Sequence, residues 1–167
     1  MLSSGRKIAE GPVQDLLERL DLQPETGRFE VGALLTARVT GHDKKFMITH
    51  LDHHGQAISM PAREIAIGSE VKLRVRARDV SLATKRPDAI SVRNVLSGTI
   101  LEVAEDPNSA HAETLINIGG GRLRARITRQ SVAELELKPG KPVFALVKSI
   151  AFDRETFSVV TGHSGNT

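Results

Sequence analysis

Along most of the chain apolar and polar side chains alternate in short runs broken by turn residues, the pattern of half-buried strands. These runs predict strands at 34–39, 45–50, 56–61 and 70–77, then a second set at 91–103, 113–118, 122–127 and 141–149. Two stretches depart from period two. GPVQDLLERLDL at 11–22 sets Val13, Leu16, Leu17 and Leu20 on one helical face, with Pro12 suited to a first turn. Residues 130–135 leave room for a short helix between the third and fourth strands of the second set.

The two sets look like copies of one unit. LLTARVTGHD lies over SGTILEVAED, and IAIGSEVKLRVRARDVSLA over LKPGKPVFALVKSIAFD, matching strands, the glycine before the last long strand and the closing apolar residues. Short hairpins around one small helix suggest a compact Greek-key barrel of the OB type, whose closure hides most strand edges. The expected fold is therefore mainly β: two OB-like Greek-key barrels in tandem, preceded by an N-terminal helix. The expected segments are 1–27, 28–88, 89–161 and a disordered tail at 162–167.

Composition narrows the function. With 167 residues, 40% hydrophobic and 26% charged, the chain has the make-up of a folded globular protein. No apolar run approaches the roughly 18 residues of a membrane span, and MLSSGRKIAEG lacks a signal peptide's apolar core. The absence of cysteine excludes disulfides, thiolate metal sites and cysteine nucleophiles, and fits a reducing compartment. A net charge of +3 favours anionic partners, but aromatics are only 3%, all Phe, so platforms for stacking nucleic-acid bases are scarce.

No nucleophile, base and orienter assemble in the sequence, and no cofactor loop is present, so an enzyme is not expected. Gly119, Gly120 and Gly121 lack the Lys-Ser/Thr that would follow in a phosphate loop and read as a hairpin turn. His50, Asp52, His53 and His54 offer metal-ligating chemistry, yet their place opposite that hairpin in the duplication favours an exposed polar turn. Arg74, Arg76 and Arg78 alternate along one strand, as do Arg122, Arg124 and Arg126 along another. Both stripes read as the solvated outer face of a half-buried sheet.

A second constellation is more specific: Ser91, Arg93 and Asn94 in SVRN, Thr128 and Ser131 in ITRQS, and Lys148 with Ser149 in VKS. A dehydrated dianion needs several inward donors and partial neutralisation, and charge-assisted bonds from Arg or Lys contribute most per contact. The set has that chemistry. Thr128 and Ser131 equally suit the cap of the short helix, and Lys148 equally suits a solvated position.

The segments ISVRNVLSGTILEV and INIGGGRLRARITRQSVAELELKPGKPVFALVKSIAF resemble the small molybdate-binding Mop domain from Ile90 to about Phe152. The likeness includes the S-x-R-N opening, the Gly-rich hairpin, I-T-x-x-S, the L-x-P-G turn and V-K-S. The preceding SGRKIAEGPVQDLLERLDL resembles the last strand and helix of an ABC-type ATPase domain, and the first copy is similar to a transport-associated OB domain. Together they resemble the C-terminal regulatory region of the ATP-binding subunit of a molybdate importer. The resemblance labels 1–27 as the tail of a truncated ATPase domain, 28–88 as a first OB-like subdomain and 89–161 as the molybdate-binding subdomain.

That resemblance implies a molybdate or tungstate ligand and no cofactor, with Ser91, Arg93 and Asn94 on one side of the ion and Thr128, Ser131, Lys148 and Ser149 on the other. It implies a homodimer with the oxyanion at the interface, an attached ATPase domain, membrane permease subunits and a cytoplasmic place at the inner face of the membrane. Feedback inhibition of transport by intracellular molybdate is the implied function. The alternative is a free-standing molybdate sensor or store, or the effector domain of a molybdate-responsive transcription regulator. The first copy lacks S-x-R-N and I-T-x-x-S.

Overall fold

The computed structural model describes residues 32–152, together with a backbone ladder of β1 (Leu2–Ser3) and β2 (Arg6–Lys7). The helix expected at 11–22 and the tail at 162–167 lie outside the described residues. The described chain is mainly β. It runs through β3 (Gly32–Asp43), β4 (Ile48–His53), β5 (Gln56–Pro61), β6 (Glu70–Arg76), a 3-10 turn (Ala77–Asp79) and β7 (Val80–Ala83). There follow β8 (Asn94–Glu105), β9 (His111–Asn117), β10 (Arg122–Thr128), α1 (Arg129–Glu134), β11 (Pro142–Val147) and β12 (Ala151–Phe152).

These strands form two five-stranded sheets of matching order, β5-β4-β3-β6-β12 and β10-β9-β8-β11-β7. The fifth strand of each is exchanged. β7, which follows β6 in the chain, pairs with β11, and β12, which follows β11, returns to β6. Thus each sheet is completed by the strand that closes the other half of the sequence. The edge strands β10 and β7 also pack on one another, curling the second sheet round its core.

One pair of bonds fixes how the halves correspond. Val39 accepts from the Gly68 N–H at 2.7 Å and donates to the Ser69 carbonyl at 2.9 Å, while Ile100 accepts from Gly140 at 2.8 Å and donates to Lys141 at 3.0 Å. Each also borders a bulge, between Val39 and Gly41 and between Ile100 and Glu102. Val39 therefore corresponds to Ile100, two residues from the match made by pattern. A shift of two leaves every side chain on its original face, so alternation alone cannot detect it.

The core is aliphatic and continuous through both halves. Leu35, Leu73, Leu96, Ile116 and Leu123 are at most 1% exposed, and each such side chain contributes roughly 2 kcal/mol relative to leaving it in water. The hairpin expected to begin a strand at 45 instead turns through 44–47, with Phe46 and Met47 exposed. Those two apolar residues imitate a strand start, but Met47 has a φ of 55°, which no strand accommodates.

The second arginine stripe is solvated at Arg122 and Arg126 but not at Arg124 between them. Arg124 is 1% exposed, on a strand that packs against β3, β6 and the 3-10 turn of the first half. Glu113 is buried on the same side, with Arg126 Nε 3.8 Å from its Oε1. Burial raises its carboxyl above the ordinary 4.5, opposed by the charges of Arg124 and Arg126. The first stripe behaves as expected: Arg74 and Arg78 are exposed, and Arg76 pairs with Asp79 at 3.1 Å.

Candidate functional site

The β8–β11 ladder ends at Asn94 opposite Val147. Arg93 and Lys148 are therefore the next residues outward on adjoining strands, both exposed, with Ser91 and Ser149 exposed beside them in sequence. Lys148 is fixed through its backbone, its N–H donating to the Asp79 carbonyl at 3.2 Å, and Arg93 folds back to donate to the Ile90 carbonyl. Among the described residues neither is paired with a carboxylate, since the nearby Asp79 is engaged by Arg76.

Asn94 behaves differently from its neighbours. It is buried, its Oδ1 accepts the Ser59 N–H at 2.7 Å and its Nδ2 donates to the Ser59 carbonyl at 2.9 Å. One amide hydrogen remains for a ligand. Gln56 does the same in the other direction: its Oε1 accepts the Ser97 N–H at 2.8 Å, and its Nε2 donates to the Ile118 and Ser97 carbonyls at 2.7 and 3.1 Å. Two side-chain amides thus join β5 to β8 where backbone pairing is missing. The sequence held no sign of this, since the partners are 35 and 41 residues apart.

Thr128 and Ser131 meet at the start of α1. Thr128 is its N-cap, accepting the Ser131 N–H at 3.0 Å, and the two hydroxyl oxygens are 2.8 Å apart. The cap occupies the donor that a free helix end would offer. Lys141 closes the other end, its Nζ donating to the Leu135 carbonyl at 2.5 Å. Strand register places Lys148 and Ser149 beside Arg93, whereas Thr128 and Ser131 lie at the start of α1. The 3-10 turn packs against β10 and accepts the bond from Lys148.

The first half offers no equivalent set. By the correspondence of Val39 with Ile100 and of Gly68 with Gly140, Arg93 and Asn94 answer to Gly32 and Ala33, and Lys148 and Ser149 to Arg76 and Ala77. Only the Arg76 cation is common, and Asp79 holds it.

Strand alternation separates the histidines of HLDHH. β4 sends His53 inward, 1% exposed, while His50 and Asp52 point outward, as strand alternation demands. Among the described residues no group of three or more His, Cys, Asp or Glu is placed to hold a metal. His53 Nδ1 donates to the Thr36 carbonyl at 2.7 Å, and its ring meets His54 edge to face at 4.7 Å. The histidine turn and the Gly-rich hairpin touch in space: a Cβ on Gly120, already at φ 97°, would collide with the His54 ring. Among the described residues no helix is long and apolar enough to cross a membrane.

Residues 90–151 match the TOBE domain family. The molybdenum import ATP-binding protein ModC of Mesorhizobium japonicum is 41% identical over 154 residues, covering 92% of this chain and 41% of that protein. ModC 1 of Azotobacter vinelandii is 38% identical over 151 residues, covering 90% and 42%. The chain thus spans about two fifths of the length of the curated relatives it matches. Among solved structures, the cytoplasmic molybdate-binding protein ModG with molybdate bound aligns with a TM-score of 0.60 and 25% identity, covering 71% of this chain and 94% of that one. Residues 90–151 are therefore similar to TOBE domains, and the chain is similar, over nearly its whole length, to part of the molybdenum import ATP-binding proteins.

Proposed function

We propose that this chain is the C-terminal regulatory region of a molybdate importer's ATP-binding subunit, binding molybdate or tungstate and catalysing nothing itself. The observation that carries the reading is the juxtaposition of Arg93 and Lys148 at the exposed ends of β8 and β11, without a carboxylate partner among the described residues. Like charges at adjoining strand positions repel, and a bound dianion converts that cost into two charge-assisted contacts. The likeness to ModC proteins and to ModG bound to molybdate supports this choice of anion.

In this reading Ser91, Arg93, Asn94, Lys148 and Ser149 form one wall of the site and Thr128 and Ser131 the other. The placement of Thr128 and Ser131 on α1, on a different element from the Arg93 and Lys148 strand ends, is compatible with a site completed by a second copy, hence a homodimer with the oxyanion at its interface. The segments 28–88 and 89–161 then build two OB-like barrels that exchange β7 and β12, with residues 1–27 leading from the ATPase domain. Only the second half carries a donor set. The full protein would work with membrane permease subunits at the inner face of the membrane, and ion binding would hold transport back. In transport assays on the full importer, Arg93→Ala with Lys148→Ala should relieve inhibition by molybdate. Retained inhibition would reject the reading.

A further inference from the structure

β6 ends at Arg76, and the 3-10 turn Ala77–Asp79 carries the chain across to β7, which joins the other sheet beside β11. The ladder of β7 with β11 runs from Ala83 opposite Phe144 to Val80 opposite Val147. One residue further on, the Lys148 N–H donates to the Asp79 carbonyl at 3.2 Å. That bond sets Asp79 and Lys148 side by side, within the span of a lysine's four-carbon stem. Asp79 is thus a carboxylate well placed to neutralise Lys148.

It is held elsewhere. Arg76 Nε donates to Asp79 Oδ2 at 3.1 Å, and the two side chains are 38% and 23% exposed. A planar guanidinium suits a carboxylate better than a strongly hydrated ammonium does, and a partner three residues back on the same turn needs little ordering. Among the described residues Lys148 has no carboxylate within ion-pair distance. Arg76 is also the residue that answers to Lys148 in the first half, so the cation common to both halves is open in one and closed on Asp79 in the other.

We propose, on the footing of the molybdate-class site described above, that Arg76 is a positioning residue of that site: it holds the Asp79 carboxylate off Lys148 and so keeps that cation free for the ion. Without Arg76, Asp79 turns to Lys148. A carboxylate fixed beside the ammonium then competes with an ion that must come from solution, and its charge repels the incoming dianion.

The test is a double-mutant cycle on the whole chain, read by molybdate calorimetry on Arg76→Gln, Asp79→Asn and the two together. Arg76→Gln should weaken binding about tenfold, Asp79→Asn should bind at least as tightly as the natural chain, and the pair should recover to the affinity of Asp79→Asn. Trace acetylation at Lys148, followed by mass spectrometry without molybdate, gives a second readout. An ammonium held by a carboxylate releases its proton less readily, so Arg76→Gln should slow the reaction about threefold and Asp79→Asn should undo the slowing. If the natural chain binds molybdate and Arg76→Gln binds it equally well, the proposal is overturned while the oxyanion site stands. A pair as weak as Arg76→Gln alone also overturns it, because Arg76 then acts through its own charge or through folding. Acetylation unchanged in Arg76→Gln overturns it whatever molybdate does. If the natural chain binds no molybdate, the oxyanion site fails, and slowing undone by Asp79→Asn still upholds the grip of Arg76 on Asp79.

Discussion

Asn94 grips Ser59 by both backbone atoms, at 2.7 and 2.9 Å, and so fastens the edge strand of one half to the opening strand of the candidate site in the other. Removing the amide leaves a half-buried N–H and carbonyl unpaired, a cost of about 1 kcal/mol. Asn94→Ala should lower stability by that amount in urea unfolding, and Gln56→Ala, which releases Ser97 and Ile118, should do the same. A loss below about 0.5 kcal/mol in both would show that the amides do not join the halves.

Gly98 lies on β8 close against the end of β9. An added Cβ would sit 2.7 Å from the Asn117 carbonyl oxygen and 2.7 Å from Ile116 Cγ2, and neither a strand carbonyl nor a fully buried isoleucine can retreat. Gly98→Ala should therefore destabilise by about 1–3 kcal/mol. Gly41→Ala meets nothing within 4 Å and serves as the control. Equal stability of the two variants would contradict the packing described.

Burial raises the Glu113 carboxyl above 4.5, so the folded chain holds that proton more tightly than the unfolded chain does. The contribution to stability is fully present below 4.5 and is lost as pH rises through the folded value. The stability of the natural chain relative to Glu113→Gln should thus fall as pH is raised from about 4 towards 7. Parallel stability curves across that window would exclude the effect.

Most strands were legible because alternation survives wherever one face is buried: 56–61 was read to the residue, and the helix at 130–135 appears at Arg129–Glu134. What escaped was long-range. The exchange of β7 and β12 leaves no local mark, since each strand looks alike whichever sheet it joins. Arg124 looked solvated because its neighbours on the strand are exposed arginines, while the packing of that strand against the other half of the molecule leaves no local mark. Of the candidate site, the residue types were legible, but the grouping of Lys148 with Arg93 follows only from strand register.

Within the proposed site the cation should matter more than the amide. Lys148→Ala removes formal charge facing a dianion, whereas Asn94 has a single amide hydrogen left to offer. Lys148→Ala should weaken molybdate binding at least tenfold and more than Asn94→Ala, by calorimetry on variants shown to be folded. Equal losses would refute that ranking. A variant held monomeric should likewise lose affinity, and undiminished affinity would remove the shared interface.

The central claim is that the chain binds a tetrahedral oxyanion of the molybdate class. Calorimetric titration of the purified chain with molybdate, tungstate, sulfate and phosphate tests it most directly. Saturable heat with molybdate or tungstate, absent or far weaker with sulfate and phosphate, is the expected result. No saturable heat with molybdate and tungstate, or the same response to all four anions, would contradict it.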